Sequence, residues 1–235
     1  MLIGETGLHF DVGLDKAQQS GSVTTQPRQD ASSSSLFPWR SKVSGQSAGQ
    51  RQKTTTSKQF QQAFDNILNG LDRTQAHYTL WNYTVGNDRQ HGDAWNGENL
   101  SLYCKEDVNS SSGGKWGVLP IDLDIGGRAI EQFCRPYPIA TVGTPLGIEF
   151  DRHEVVFKLR TASDPSLSTS SAEEETEIYV PWYHFGGPEY STVKVSDGSV
   201  RWWGQGQRTG SLPIEVLYWR YGKEKDHWIE IRRTK

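Results

Sequence analysis

The feature that most constrains this chain is the cadence of its last hundred residues. From Ile139 to Arg233 it delivers eight short runs rich in β-branched and aromatic residues: IATVG, LGIEFD, EVVFKLR, TEIYVPWYHF, STVKVSD, SVRWWGQ, PIEVLYWRY and HWIEIRR. Turn signals separate them, and no helical pattern intervenes. Strands this short and this regularly spaced pair antiparallel and close into two packed sheets with their own core. An antiparallel β-sandwich is therefore expected over residues 135–235, folding as a unit in its own right. The acidic, serine-rich PSLSTSSAEEE at 165–175 is read as a surface loop of that sandwich.

The first hundred residues keep a different rhythm. A three-residue apolar run, Met1 to Ile3, leads into GETG. Between about 16 and 58 the chain turns to Ser, Thr, Gln and Gly with little to bury, broken only by LFPW at 36–39, and reads as a disordered insertion. Phe60, Phe64, Ile67, Leu68 and Leu71 then recur at helical spacing from Gln59, with Gly70 expected to loosen the helix end. HYTLWNYTV at 77–85 has the β-branched and aromatic content of a strand. Strand, loop, helix, strand is a β-α-β unit, the repeating element of parallel sheets and barrels. A (β/α)8 barrel takes about 250 residues and eight such strands, so residues 1–103 could supply only a part of one. Residues 104–134, with a short helical turn expected around GGRAIEQF, form a connector.

Composition excludes several classes. A net charge of −3 gives no basic footprint for nucleic acid. No run of eighteen apolar residues could span a bilayer. The start MLIGETG has neither the basic residues nor the long apolar stretch of a secretory signal. Two cysteines, Cys104 and Cys134, make neither a disulfide framework nor a structural zinc site, and His77, His91 and His184 have no metal-ligand spacing. The expectation is an intracellular protein, cytoplasmic or vacuolar, without metal or cofactor; its oligomeric state is not legible. Nine Trp, nine Tyr and eight Phe are a heavy aromatic load, suited both to cores and to stacking on sugar rings.

Two segments carry a chemical signal. In GETG, glycines flank the carboxylate of Glu5 at a strand end. In TLWNYTVGNDRQHGDAWNGENLSLY, a strand runs into a short polar loop holding Asn82, Asp93, Trp95, Asn96 and Glu98. Barrel enzymes build their active sites at that end of their strands. Taken alone, Glu5 could equally be a turn residue facing water, Trp81 a core tryptophan, and the loop residues caps and turn formers.

Together, Gly4-Glu5-Thr6-Gly7, Thr79 to Tyr83, and Gly92 to Ser101 resemble motifs of the fungal glycoside hydrolases of family 5, in the endoglycoceramidase-like branch acting on glucosylceramide or sterylglucoside. RPYPIATVGTPLGIEFD and TEIYVPWYHF are similar to the C-terminal domain of the same enzymes. The loop departs from the family form at His91 and Arg89. The resemblance implies barrel strands seven and eight, with Glu5 as the nucleophile of a retaining β-glucosidase. Trp81 would be a sugar platform; Asn82, Asp93, Trp95, Asn96 and Glu98 would be substrate contacts. A retaining enzyme also needs an acid/base carboxyl, which the family carries on an earlier strand. No Asn-Glu strand end precedes Glu5 here. The expectation is thus a C-terminal piece of the enzyme, inactive alone, whose glycolipid substrate brings it into transient contact with a membrane. The competing reading is a non-catalytic β-sandwich that binds carbohydrate or a partner. Of Trp202 and Trp203, adjacent on a strand, at most one can face a ligand, and packing is the preferred role.

Overall fold

The computed structural model describes residues 2–10, 58–95, 97–107, 126–163, 175–203, 216–222 and 226–234. The polar insertion, apart from Lys58, and the 165–175 loop, apart from Glu175, lie outside them.

The front of the chain is a β-α-β unit. Strand β1 (Leu2–Thr6) pairs parallel with β2 (His77–Leu80), and helix α1 (Lys58–Thr74) lies between them in sequence. The apolar stripe of α1 is what joins the unit: Phe60, Phe64 and Leu68 are buried, Phe60 stacks on Phe10 at 4.4 Å between ring centroids, and Tyr78 and Leu80 of β2 pack onto the same cluster. Gly70 does not loosen the helix, which runs on to Thr74 and turns at Gln75 in the left-handed conformation (φ 52°). Packing of Leu71 against the cluster outweighs the roughly 1 kcal/mol that a helical glycine costs.

The strand expected over 77–85 is also shorter. It ends at Leu80 because the backbone changes partner there: the Trp81 amide donates to Thr6, and the following residue pairs instead with the returning chain, through Asn82 N–H to Leu100 and Leu102 N–H to Asn82. The Trp81–Asn82 peptide is cis.

The eight strands of the second half are all present, in two four-stranded antiparallel sheets. The strands are β3 (Tyr137–Ala140), β4 (Thr144–Asp151), β5 (Val156–Ala162), β6 (Thr176–Tyr179), β7 (Ser191–Val195), β8 (Ser199–Trp202), β9 (Val216–Arg220) and β10 (Asp226–Arg233). One sheet has the order β4-β5-β10-β7 and the other β3-β6-β9-β8. Register explains the core. Ile148, Leu159, Ile229 and Val195 form one inward row across four strands, and Phe150, Phe157, Ile231 and Val193 form the next. Ile178, Leu217, Trp219 and Trp202 close the core from the other sheet. Between these rows, Glu149, Lys158, Glu230 and Lys194 alternate in charge along one outward row, which suits neighbouring strands. Trp202 thus packs inward while Trp203 is 46% exposed. TEIYVPWYHF does not stay extended: after β6, Pro181 opens a single helical turn, α3 (Trp182–Phe185), which seats Phe185 in the core.

A chain of hydrogen bonds ties the sandwich edge. Asp197 Oδ1 lies 2.7 Å from His227 Nδ1, and Ser163 Oγ lies 2.8 Å from His227 Nε2. The order is that of a nucleophile relay, but His227 is 3% exposed and its ring lies tilted against Tyr221 at 4.3 Å between centroids. None of the three lines either of the two cavities flanking the seam between helix and sandwich. The chain serves to join the ends of β5 and β10 to the turn after β7.

That seam is ionic, which nothing in the periodicity announced. Arg152, on the β4–β5 turn, meets Asp65 of α1 with Nη2 to Oδ2 at 2.7 Å and reaches Glu131 at 3.3 Å. Glu131 belongs to the short helix α2 (Ile130–Phe133) expected around GGRAIEQF. Arg135, 4% exposed, holds Asp72 at 2.8 Å, bonds Asn69 and lies over the Phe150 ring. Burial is the main reason the Asp72 carboxyl sits above its ordinary pKa, with Arg135 pulling it back. Charged partners therefore join the front unit to the sandwich.

Candidate active site

Glu5 is delivered by an irregularity in β1. The ladder pairs Ile3 with Tyr78 and then Thr6 with Leu80, so three steps on β1 match two on β2. The extra residue lies at Gly4–Glu5, a bulge of the kind that re-aims a side chain. Thr79 Oγ1 donates to the Gly4 carbonyl there. Glu5 stands exposed at the C-terminal end of the strand.

The two flanking glycines do different things. A Cβ on Gly4 would meet nothing within 4 Å, whereas one on Gly7 would lie 2.2 Å from the Trp81 carbonyl oxygen. Gly7 is thus required for contact between the ends of β1 and β2, reinforced by the Trp81 N–H to Thr6 C=O bond at 2.7 Å. Glu5 and Trp81 are brought to one rim by that contact.

Beyond Trp81 the loop is organised from within by Asp93, which is 4% exposed. Its Oδ1 accepts from Asn87 Nδ2 at 2.8 Å and from the Ser101 amide at 3.3 Å; its Oδ2 accepts from the Leu100 amide at 2.9 Å and from Asn82 Nδ2 at 3.3 Å. Four donors fill the carboxylate, and Asn82, 9% exposed, spends its amide on it. These two residues lie beneath the rim.

On the surface, Trp95 is 47% exposed and meets Trp81 edge to face at 6.1 Å between centroids. Such a pair offers two apolar walls at an angle, a shape suited to a pyranose ring. Glu98 Oε2 is buried and has no hydrogen-bond partner among the described residues. An acceptor in that state carries an uncompensated desolvation cost that a donor from a bound hydroxyl would relieve. Asn96 lies outside the described residues. The structure therefore brings Trp81 and Trp95 together with Asn82 and Asp93 underneath, while Glu5 stands at the end of β1 and Glu98 in the loop.

His91 and Arg89 stitch the outer edge of the loop. His91 Nδ1 and Lys105 Nζ lie 3.1 and 3.0 Å from Asp88. Burial opposes ionisation of Asp88, but these partners and the His91 amide hold its carboxyl well below the usual range. Arg89 binds Asp107 and has Glu106 3.8 Å from Nε. Two supporting residues were not legible in the sequence: Asn87, fully buried, and Arg128, whose guanidinium contacts the same loop from beyond residues 108–125. No spacing rule links Arg128 to a loop nearly thirty residues earlier.

Residues 135–231 match the glycoside hydrolase family 5 C-terminal domain. A glucosylceramidase of Rhizopus delemar is 36% identical over 132 residues, 54% of this chain and 19% of that protein. The crystal structure of Cryptococcus neoformans sterylglucosidase 1 superposes on 99% of the chain with a TM-score of 0.68 and 30% identity, covering 28% of that structure. Endoglycoceramidase II from Rhodococcus shares the fold at a TM-score of 0.51 and 14% identity. The chain spans about a fifth of the length of the curated Rhizopus relative, 19%. Residues 135–231 thus match the C-terminal domain of glycoside hydrolase family 5, and the chain is similar to part of a fungal glucosylceramidase and of a fungal sterylglucosidase.

Proposed function

We propose that this chain carries the nucleophile half of a retaining β-glucosidase acting on a glycolipid of the glucosylceramide or sterylglucoside type. The observation that carries the reading is the bulged end of β1, which leaves Glu5 exposed at the C-terminal end of a parallel strand pair, next to the Thr6 carbonyl that accepts from the Trp81 amide. On this reading β1 and β2 are strands seven and eight of a (β/α)8 barrel, with residues 1–103 its last part, 104–134 a connector and 135–235 the sandwich. The names of the relatives, glucosylceramidase and sterylglucosidase, support a glucosyl lipid as substrate.

Chemically, a Glu5 carboxylate oxygen attacks the anomeric carbon while the glycosidic oxygen leaves with a proton from a second carboxyl group. Water, deprotonated by that second group, then releases glucose from the ester. The second carboxyl must stand about 5 to 5.5 Å from Glu5, and on this reading it belongs to polypeptide outside these 235 residues, so the chain alone turns over no substrate. Trp81 and Trp95 embrace the sugar, Glu98 and Asn96 receive its hydroxyls, and Asp93 and Asn82 hold the loop that presents them. The lipid aglycone brings the site to a membrane surface. The chain's two cysteines, Cys104 and Cys134, are too few for a disulfide framework, which supports an intracellular home.

A chimera tests this. The corresponding C-terminal segment of the Cryptococcus sterylglucosidase is replaced by this chain, and hydrolysis of nitrophenyl β-glucoside is measured. The folded chimera is expected to be active and to lose about three orders of magnitude or more on Glu5→Gln. Activity that survives Glu5→Gln overturns the assignment. A second reading, a non-catalytic carbohydrate-binding sandwich, is favoured by the exposure of Trp228 and Trp203 at 44% and 46%. Glucan binding lost in Trp228→Ala or Trp203→Ala, with Glu5→Gln harmless in the chimera, would decide for it.

A further inference from the structure

Arg128 touches both halves of the candidate site without reaching its surface. It sits just before α2, where its amide donates to the Leu102 carbonyl at 2.7 Å and the neighbouring Gly126 carbonyl accepts from Cys104 at 2.9 Å. The guanidinium carbon lies 3.5 Å from the centroid of the Phe10 ring. Phe10 follows Glu5 on the chain leaving β1, and its amide donates to the Asn99 carbonyl at 2.8 Å. From that perch Arg128 Nη1 reaches Asn99 Oδ1 at 2.9 Å, Asn87 Oδ1 at 3.3 Å and the Ser101 carbonyl at 3.3 Å.

Asn87 makes this more than a local brace. Fully buried, it receives Arg128 on its oxygen and gives its nitrogen to Asp93, whose other oxygen receives Asn82, the residue after Trp81. A continuous hydrogen-bonded path therefore runs from Arg128 through Asn87 and Asp93 to Asn82. A buried carboxylate needs a cation nearby, and the attraction of Asp93 is among the forces acting on Arg128. Only a planar guanidinium can both stack on a ring and present several donors in fixed directions; a lysine would keep the charge and lose the fork.

We propose that Arg128 is a positioning residue for the sugar site: it sets the angle between Trp81 and Trp95 by fixing the rim loop from below and the Glu5 exit segment through Phe10. The inference rests on the proposed glycosidase reading for its purpose, while its geometry can be tested apart from it. Arg128 acts through the loop it holds, so its influence is on sugar affinity through the two tryptophans.

The test uses the 235-residue chain labelled with 5-fluorotryptophan and observed by fluorine NMR, with the Trp81 and Trp95 signals assigned by Trp81→Phe and Trp95→Phe. Without any ligand, Arg128→Lys and Asn87→Ala are expected to move or split the Trp81 and Trp95 signals while those of Trp219 and Trp228 in the sandwich stay in place. Isofagomine, an imino sugar of glucose shape, is expected to bind the unsubstituted chain and to bind Arg128→Lys about tenfold more weakly, the size of a lost charged hydrogen bond. Unmoved Trp81 and Trp95 signals in a folded Arg128→Lys chain overturn the positioning role. Should Arg128→Lys unfold the front unit, Phe10→Leu keeps the cation and removes its ring, and unmoved signals there overturn it equally. If the unsubstituted chain ignores isofagomine while Arg128→Lys still moves both signals, positioning stands and the sugar reading of the site is what fails.

Discussion

The Trp81 amide donates to the Thr6 carbonyl at 2.7 Å, and the Trp81 carbonyl occupies the space that a side chain on Gly7 would need. One residue, Trp81, thus fixes the spacing of two strand ends through both its amide and its carbonyl. A methyl group on Gly7 would sit 2.2 Å from that oxygen and 3.5 Å from a Leu100 methyl. Gly7→Ala is expected to destabilise the front unit by about 1–3 kcal/mol, the usual cost of overpacking, and to speed hydrogen exchange at Trp81. Gly4→Ala, with open space around it, is the control and should leave both unchanged. Urea unfolding with exchange measured at single amides checks the pair.

Asp65 joins α1 to the sandwich through Arg152, and Arg135 has it at 3.9 Å. Asp65→Ala would leave Arg152 partly buried without its main counter-charge, a change that costs about 3–5 kcal/mol where one member of a buried pair is removed. The expected result is a lower urea midpoint, with front unit and sandwich unfolding in separate steps. A single transition at an unchanged midpoint would mean that apolar packing alone holds the seam.

Acid should loosen the sandwich. The Arg201 fork on Glu175, with Arg220 beside it, lowers that carboxyl's pKa. Burial opposes ionisation of Asp197, yet donors from Ser196, Gly222 and His227 leave it lowered as well. A carboxyl lowered in the folded state stabilises above its unfolded pKa, near 4, and that contribution is lost as pH falls through the folded value. The melting midpoint is therefore expected to fall below about pH 4. In Glu175→Gln and Asp197→Asn the acid limb should be flatter, which calorimetry against pH reads directly.

Glu98 sets stability against binding. Its Oε2 is buried without a hydrogen-bond partner among the described residues, so Glu98→Gln gives up no hydrogen bond at that atom. The variant is expected to match or exceed the parent in stability by up to about 1 kcal/mol while binding isofagomine more weakly. A variant both less stable and unchanged in affinity would assign Glu98 to the loop's own architecture.

What the sequence determined by itself is what repeats or aligns locally. Short runs rich in β-branched and aromatic residues, with turn signals between them, placed all eight sandwich strands. The stripe from Phe60 to Leu71 placed the helix, while GETG, TLWNY and GDAWNGENLS raised the expectation of a site at Glu5, Trp81, Asn82, Asp93, Trp95, Asn96 and Glu98. What only the tertiary structure decided are relations between segments distant in sequence. The bulge that turns Glu5 is a mismatch between two strands and has no signature in either. Asp93 reads as a surface sugar ligand until four donors are found converging on it, two of them backbone amides of a loop folded back over it. Arg128 and the Arg152–Asp65 seam are single charges whose partners lie 29 and 87 residues away. Periodicity records how a segment meets the core as a whole, whereas a buried ion pair or a hydrogen-bonded carboxylate depends on one atom meeting another.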